Sequence, residues 1–476
     1  MQNTKLQEFN EYIKGRKVAI IGLGVSNTPL LEYFYNLGAK VTVFDNRTIN
    51  KIEMESISKS NSLGIELITG EDSLKRLVGF DIIFRSPSCR PDLPEIEAEL
   101  ERGAILTSEI EMLIELCPGT VIGVTGSDGK TTTTSLIYEI INVGVGALDN
   151  PENIAKVYLG GNIGTPLFTK LPNMKEQDIV VLELSSFQLM TMQISPKISV
   201  ITNISPNHLD IHKSYEEYID SKKNIFKYQD KDGIVVLNYD DEIVKEFANE
   251  ANGKVVFFSS NEKLKDGLVL DDNIIKLCEN NLRKHLLNTN ELKLRGKHNF
   301  ENICTALSAT RDLVQIDLAV EAVKDFKGVE HRLEFVREID GVKWYNDSIG
   351  TSPSRTIAGL NSFEEEIILI AGGYDKHLDY APIAKPIIDN VKELILFGAT
   401  ADKIENAIVG VGALDNPNTA NINIYRCATL EETIQTAKKV AQKNQVVLFS
   451  PASASFDMFK NFAERGEKFK KLVNDL

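Results

Sequence analysis

The sequence predicts an α/β protein of three units, each a mostly parallel sheet covered by helices on both faces. Three observations carry this. Short apolar runs of strand length alternate with helical patterns along all 476 residues. The runs are continuously apolar rather than alternating, as in strands buried on both faces. Polar residues and glycines sit at the ends of the runs, at Gly22, Asp45, Gly126, Glu183, Asn203, Asp347, Gly372 and Ser450, where open α/β sheets hold ligands.

In chain order, Lys17–Arg47 reads as strand, glycine turn, helix and a second strand ending in Asp45. Gly22 and Gly24 open a dinucleotide-type turn whose third glycine is replaced by Asn27, and Asp45 stands where a ribose hydroxyl is read. Phe80–Ser88 is a further buried strand. A second unit begins near Leu116 with "VIGVTGSDGKTTTTSLIYEI" (Val121 to Ile140), a strand, a turn bracketed by Gly126 and Gly129, and a helix. Such a turn aims backbone N–H groups and a helix N-terminus at a phosphate. Lys130 adds a charge and Thr131 a hydroxyl for a metal, although Val124 replaces the first glycine of the full Walker pattern. Strands follow at Asp178–Ser186, Ile198–Ser205 and Gly233–Asn238, and a long helix within Leu294–Leu313 closes the unit. A third unit starts near Gly328, with strands in "VKWYND", "EIILIAGG", "ELILFG" and "QVVLFSPAS". The boundaries expected are 1–110, 111–328 and 329–476. An identical "VGVGALDNP" at Val143–Pro151 and Val409–Pro417 reads as a solvent loop inserted at two surface connections.

The net charge of −15 argues against a nucleic-acid or anionic-membrane binder. Five scattered cysteines suit reduced thiols in a cytoplasmic protein rather than a disulfide frame or a zinc site. The N-terminal stretch lacks an apolar signal core and no segment is long enough to span a bilayer, so a cytoplasmic location is expected.

Several residues carry candidate chemistry. Glu183 ends a strand at the ligand edge, where a carboxylate suits the magnesium that accompanies ATP. His208 lies just past another strand end. In "SYEEYIDSKKNIFKY", Tyr215, Tyr218, Ile219, Ile225 and Phe226 form the apolar stripe of a helix, and Lys222 falls at its centre while Lys223 points away. A lysine so placed is partly buried, its pKa depressed and its amine reactive, unless its stem packs and its ammonium reaches water. Arg332 suits polyphosphate, Asp347 a ribose or metal, and Lys376 after a glycine pair suits a carboxylate. Ser453 and Ser455 lie in a turn leading to a helix that carries Phe462.

Taken together, "GSDGKTTTT", "GGNIGTP", "ELSSFQL", "NHLDIHKSYEEYIDSKKNIF", "GKHNFENICTALSA", "GVEHRLEFV", "YNDSIGTSP", "AGGYDK" and "SPASASFDMFKNFAERG" resemble the Mur ligase family, in family order over nearly the whole chain. The resemblance implies a Rossmann-like N-terminal domain for a UDP moiety, a central P-loop-type ATPase domain with a mostly parallel sheet, and a Rossmann-like C-terminal domain. It implies ATP-driven amide-bond formation through an acyl phosphate and a tetrahedral intermediate. The last motif together with "HRLE…NDS" favours, by this resemblance, D-glutamate as the amino acid and UDP-N-acetylmuramoyl-L-alanine as the acceptor, in peptidoglycan precursor synthesis.

By resemblance, Gly126, Ser127, Asp128, Gly129, Lys130, Thr131 and Thr132 cradle the ATP phosphates. Lys130 stabilises the transferring group. Thr131 and Glu183 hold one Mg2+; His208 and Lys222, carbamylated by CO2, hold a second. Asn299, Asn302, Arg332 and Asp347 line the nucleotide. Ser26, Asp45, Asn46 and Arg47 meet the UDP moiety, Asn162 the sugar and Gln188 the reacting carboxylate. Lys376, Ser455, Phe462 and Thr351 seat D-glutamate. A monomer that closes its domains on the substrates is the expected state.

Ile349 stands where the family has lysine, which removes one expected cation from the amino-acid pocket, and Ser88 replaces the glycine of a first-domain turn. The rivals are a sister ligase adding another amino acid, a folate polyglutamate ligase, a nucleotide-gated scaffold and an NAD-dependent oxidoreductase. The last leaves the second phosphate loop unexplained.

Overall fold

The computed structural model describes residues 3–147, 155–206, 211–280, 282–376, 378–410 and 422–476. The chain forms two compact units, Met1–Glu291 with Glu301–Lys324, and Leu292–Phe300 with Asp325–Leu476.

The first unit holds two sheets. One comprises β1 (Lys17–Ile21), β2 (Lys40–Asp45), β3 (Glu66–Thr69), β4 (Ile82–Arg85) and β5 (Ile105–Thr107), all parallel in the order β3-β2-β1-β4-β5. The order reverses between β1 and β4, so the turns after Ile21 and Arg85 border one crevice. Asn27, in place of the third glycine, is buried and donates from Nδ2 to Ile21 O and Gly22 O, tying the turn to its own strand.

The second sheet contains β6 (Thr120–Thr125), β7 (Val157–Gly161), β8 (Ile179–Glu183), β9 (Ile198–Ile201), β10 (Ile234–Asn238), β11 (Lys254–Ser259), β12 (Gly267–Asp271), β13 (Ile274–Glu279) and β14 (Leu282–Asn288). Its order is β14-β13-β12-β11-β10-β9-β6-β8-β7. The two sheets share a core in which Phe34 and Phe84 pack with Phe168, and Phe168 meets Phe9 and Tyr33 edge-on.

The second unit holds β15 (Glu334–Ile339), β16 (Val342–Asn346), β17 (Ile367–Gly372), β18 (Val391–Phe397), β19 (Asn423–Arg426) and β20 (Val446–Phe449), in the order β15-β16-β20-β17-β18-β19. Apolar clusters cover both faces of this sheet.

Two expectations are corrected. Strand–helix alternation does not run throughout: β12–β13, β13–β14 and β15–β16 pair antiparallel. Asp272 and Asn273 supply the left-handed conformations of a two-residue hairpin turn between β12 and β13, so no crossover helix is needed. The repeated nonapeptide does not begin as a loop. Val143–Gly146 finish the helix Lys130–Gly146, and Val409 and Gly410 finish the helix Ala401–Gly410. Leu148–Pro151 and residues 411–417 lie outside the described residues.

Candidate active site

In the second sheet β6 lies between β9 and β8, and this adjacency assembles the phosphate loop with residues at both neighbouring strand ends. Gly126 (φ 150°) and Gly129 (φ 79°) take conformations that favour glycine. Space demands glycine as well: a Cβ on Gly126 would lie 1.9 Å from Thr202 Oγ1, and one on Gly129 2.3 Å from Asn302 Oδ1. Asp128 N donates to Asn203 Oδ1 (2.9 Å) and Thr202 Oγ1 donates to Asp128 O (2.6 Å), which pins the loop to the end of β9. Ser127 Oγ meets Tyr218 OH at 2.8 Å. Gly129 is the N-cap of the following helix and gives it no side-chain cap, so the first-turn amides face the loop. Lys130 Nζ folds back onto Gly126 O and Ser127 O, both 2.9 Å away.

Lys222 is buried, as the helical stripe predicts, with Nζ 2.7 Å from Gly126 O and 3.2 Å from Thr125 Oγ1. Burial, reinforced by the charge of Lys130 and partly offset by Asp128 and Glu183, holds its pKa well below 10.5. Lys223 instead reaches Glu250 on the surface. At the end of β8, Glu183 Oε1 accepts from Asn162 Nδ2 (2.8 Å), while Oε2 is buried without a hydrogen-bond partner among the described residues. An anionic oxygen left bare beside a phosphate loop fits a divalent cation. Thr132 Oγ1 is likewise buried and unpartnered, whereas Thr131 is half-buried. Gln188 spends its Oε1 on a capping box with Ser185 N and Oγ. His208 lies outside the described residues.

In the first sheet, Asp45 and Arg47 engage each other: Oδ2 accepts from Arg47 Nη2 (2.7 Å) and Leu23 N (2.9 Å), and Oδ1 accepts from Arg47 Nε and N. These bonds outweigh burial and hold the Asp45 carboxyl below its usual range. Arg47 Nη2 also donates to Leu23 O, so the glycine turn and the end of β2 form one rigid rim, with Ser26 half-buried and Asn46 exposed on it.

The helix Lys297–Thr310 carries both predicted asparagines. Asn302 Oδ1 accepts from Thr133 Oγ1 in the first unit, and Asn299 Nδ2 donates to Arg295 O in the second. In the second unit β20 lies between β16 and β17, which brings Asp347, Ser450 and Gly372 to adjacent strand ends. Asp347 is buried, and burial pushes its carboxyl up to about 6. Ser450 Oγ donates to its Oδ2 (2.6 Å) and Leu333 N to its Oδ1 (3.2 Å). Positive φ at His331 and Leu333 brackets Arg332. Pairing of Tyr374 with Ala454 sets the exposed Lys376 loop beside buried Ser455. Phe462 begins the last helix, edge-on to His331. Thr351 bonds within its own turn to Ile349 O, and no described hydrogen bond ties it to Lys376 or Ser455.

Four residues escaped the sequence reading. The helical stripe marks Tyr218 only as core, yet its hydroxyl lies 2.8 Å from Ser127 Oγ in the phosphate loop. Arg465 is buried and stitches Ser348, Ser453 and Ala454 together; burial lowers its pKa to about 10. Its helical spacing with Phe469 and Val473, both core residues, was the available signal. Arg85 and Arg90 carry no sequence pattern of their own.

A phosphate loop, a bare strand-end carboxylate and a buried amine together mark a nucleotide-using enzyme rather than a passive binder. Residues 16–108 match the profile described as "Mur ligase MurD-like, N-terminal domain", 124–310 "Mur ligase middle domain" and 331–453 "Mur ligase, glutamate ligase domain". The chain belongs to the Mur ligase family, ATP-dependent enzymes that form amide bonds. It is 48% identical over 474 residues to a UDP-N-acetylmuramoylalanine–D-glutamate ligase of Acetivibrio thermocellus, covering 100% of this chain and 99% of that one. With the enzyme of the same name from Clostridium botulinum strain Kyoto it shares 46% over 473 residues, covering 99% and 100%. The fold is similar to that of UDP-N-acetylmuramoylalanyl-D-glutamyl-2,6-diaminopimelate–D-alanyl-D-alanyl ligase from Acinetobacter baumannii, with a TM-score of 0.55 at 13% identity, covering 100% and 98%. Among the described residues no helix is long and apolar enough to cross a membrane.

Proposed function

We propose that the protein joins D-glutamate to UDP-N-acetylmuramoyl-L-alanine at the expense of ATP, in peptidoglycan precursor synthesis and hence cell division. The carrying observation is the 48% identity, end to end, with a relative named for that reaction. The domain limits 1–110, 111–328 and 329–476, a monomeric state and a cytoplasmic location belong to the same reading.

In this reading the loop Gly126–Thr132 binds the phosphates through first-turn amides, and Lys130 swings from its carbonyl partners onto the transferring phosphoryl group. Glu183 and Thr131 would hold one Mg2+, which would supply positive charge to the phosphate oxygens. Glu183 Oε2, without a hydrogen-bond partner among the described residues, is an acceptor suited to this role. Lys222, once carbamylated, would hold a second ion with His208: burial lowers the pKa of its amine and so disfavours the ammonium form, and the free amine attacks CO2, forms the N–C bond and releases one proton. Asn299, Asn302, Arg332 and Asp347 orient the nucleotide. Ser26, Asp45, Asn46, Arg47, Asn162 and Gln188 seat the UDP substrate. Lys376, Ser455, Phe462 and Thr351 seat D-glutamate, with Lys376 and Ser455 on its carboxylates. The substrate carboxylate takes the γ-phosphoryl group, the amino group of D-glutamate attacks the acyl phosphate, and phosphate leaves from the tetrahedral intermediate. Phosphate release from ATP, measured with UDP-N-acetylmuramoyl-L-alanine and D-Glu, L-Glu, L-Lys or meso-diaminopimelate, tests it. Release and amide product with D-Glu alone is expected; turnover with another amino acid moves the protein to a sister ligase.

A further inference from the structure

The turn that leaves β4 sends two arginines from the first sheet onto helices beside the second. Arg85 is fully buried; Nη1 donates to the turn's own carbonyls at Ser86, Pro87 and Cys89. Its Nη2 reaches Phe187 O (2.7 Å) and Thr191 Oγ1 (3.2 Å), within and just past the helix Ser186–Leu189. Arg90, at the far end of the same turn, commits all five of its N–H donors. Nε and Nη2 fork onto Asp92 (2.8 and 3.0 Å), Nη2 and Nη1 fork onto Glu217 (2.7 and 3.1 Å), and Nη1 also donates to Ile211 O (2.8 Å).

Glu217 sits in the first turn of the helix Tyr215–Lys227, and its Oε2 also accepts from Lys213 N. Among the described residues, Lys213 Nζ pairs with Asp92, and His212 Nδ1 lies 3.4 Å from Glu217. Arg90 is the main reason the Glu217 carboxyl is pushed down to about 2. The pair is about three-quarters buried and doubly forked, unlike the mobile surface pairs that contribute little.

The same helix delivers Tyr218 to Ser127 Oγ and Lys222 to Gly126 O, one and five residues beyond Glu217. At about 1.5 Å per residue, Lys222 lies roughly 7.5 Å along a rigid helix from the fork. A shift at Glu217 is therefore carried to the phosphate loop.

We propose that Arg90 is a positioning residue: by gripping Glu217 it fixes the helix of Tyr218 and Lys222 to the first-sheet turn, and so sets Lys222 against the phosphate loop. The inference rests on the reaction proposed above. The test is steady-state kinetics of the full chain carrying Arg90→Ala, Arg90→Lys, Glu217→Gln or Arg90→Ala with Glu217→Gln, with rates expressed per folded enzyme. Arg90→Ala is expected to lower kcat by about tenfold or more and leave KM for ATP within about twofold, because Lys222 loses its set position at the reacting centre while the loosened loop keeps the glycines and first-turn amides that bind phosphate. Glu217→Gln should match it, and the double variant should be no worse than the more impaired single one. Arg90→Lys, which keeps charge without the fork, should recover only part; if Arg90→Ala does not fold, it and Glu217→Gln carry the comparison. Unchanged kcat, losses that multiply in the double variant, or full activity in Arg90→Lys would overturn the proposal. No ligase turnover in the wild type would instead refute the reaction reading. The clamp is then read from amide exchange at Gly126–Lys130: faster exchange in Arg90→Ala supports it and unchanged exchange overturns it.

Discussion

Ser450→Ala should destabilise the second unit by an amount that depends on pH. Burial raises the Asp347 carboxyl to about 6 from its usual 3.8, and the Ser450 hydroxyl at 2.6 Å restrains it from rising further. A raised carboxyl favours the fold while protonated. That contribution is complete below the unfolded pKa near 3.8 and is lost as pH rises through about 6, a change of roughly 3 kcal/mol. A hydrogen bond from Ser450 to the ionised carboxylate contributes about 1.5–3 kcal/mol, against about 0.5–1.5 for a neutral acceptor. Removing the hydroxyl should therefore cost about 1 kcal/mol near pH 5.5 and about 2–3 near pH 8. Thr356 Oγ1, 2.8 Å from Ser450 Oγ, loses the same partner at both pH values and drops out of the difference. The assay is urea unfolding followed by tryptophan fluorescence. Trp344 is the chain's sole tryptophan and is buried in β16, three residues before Asp347, so it reports on this unit. An equal loss at both pH values, or a larger loss at the acid one, would refute the reasoning.

The remaining predictions concern the first unit. Lys222→Met should abolish turnover, by about a hundredfold or more, while the urea midpoint stays level or rises, because an apolar isostere relieves a buried amine; phosphate release and circular dichroism check the two halves. Gly129→Ala should cost about 1–2 kcal/mol through its left-handed φ and raise KM for ATP, since its Cβ would meet Asn302. Burial pushes the Glu109 carboxyl up to about 7, against the N–H of Phe168 and Leu167. Its stabilising protonated form is lost as pH rises through about 7, so Glu109→Gln should unfold later than wild type near pH 8.5 and lose that advantage near pH 5.5, as a thermal melt at each pH would show.

The sequence by itself determined the α/β class, the strand ends where polar residues and glycines collect and the burial of Lys222, because apolar period and strand-end polarity are local properties of the chain. The phosphate loop was equally legible, since its glycines answer to backbone conformation within a few residues. Tertiary structure alone decided what depends on strands distant in sequence becoming neighbours. The antiparallel β12–β14 came from a hairpin hidden in the pair Asp272–Asn273. The pairing of β6 with β8 and β9 set Glu183 and Asn203 beside the loop. Arg85, Arg90 and Arg465 show the limit most plainly. In sequence each is an ordinary cation, and its partners are fixed only when the fold withdraws it from water, where an unpaired charge is too costly to leave unmatched.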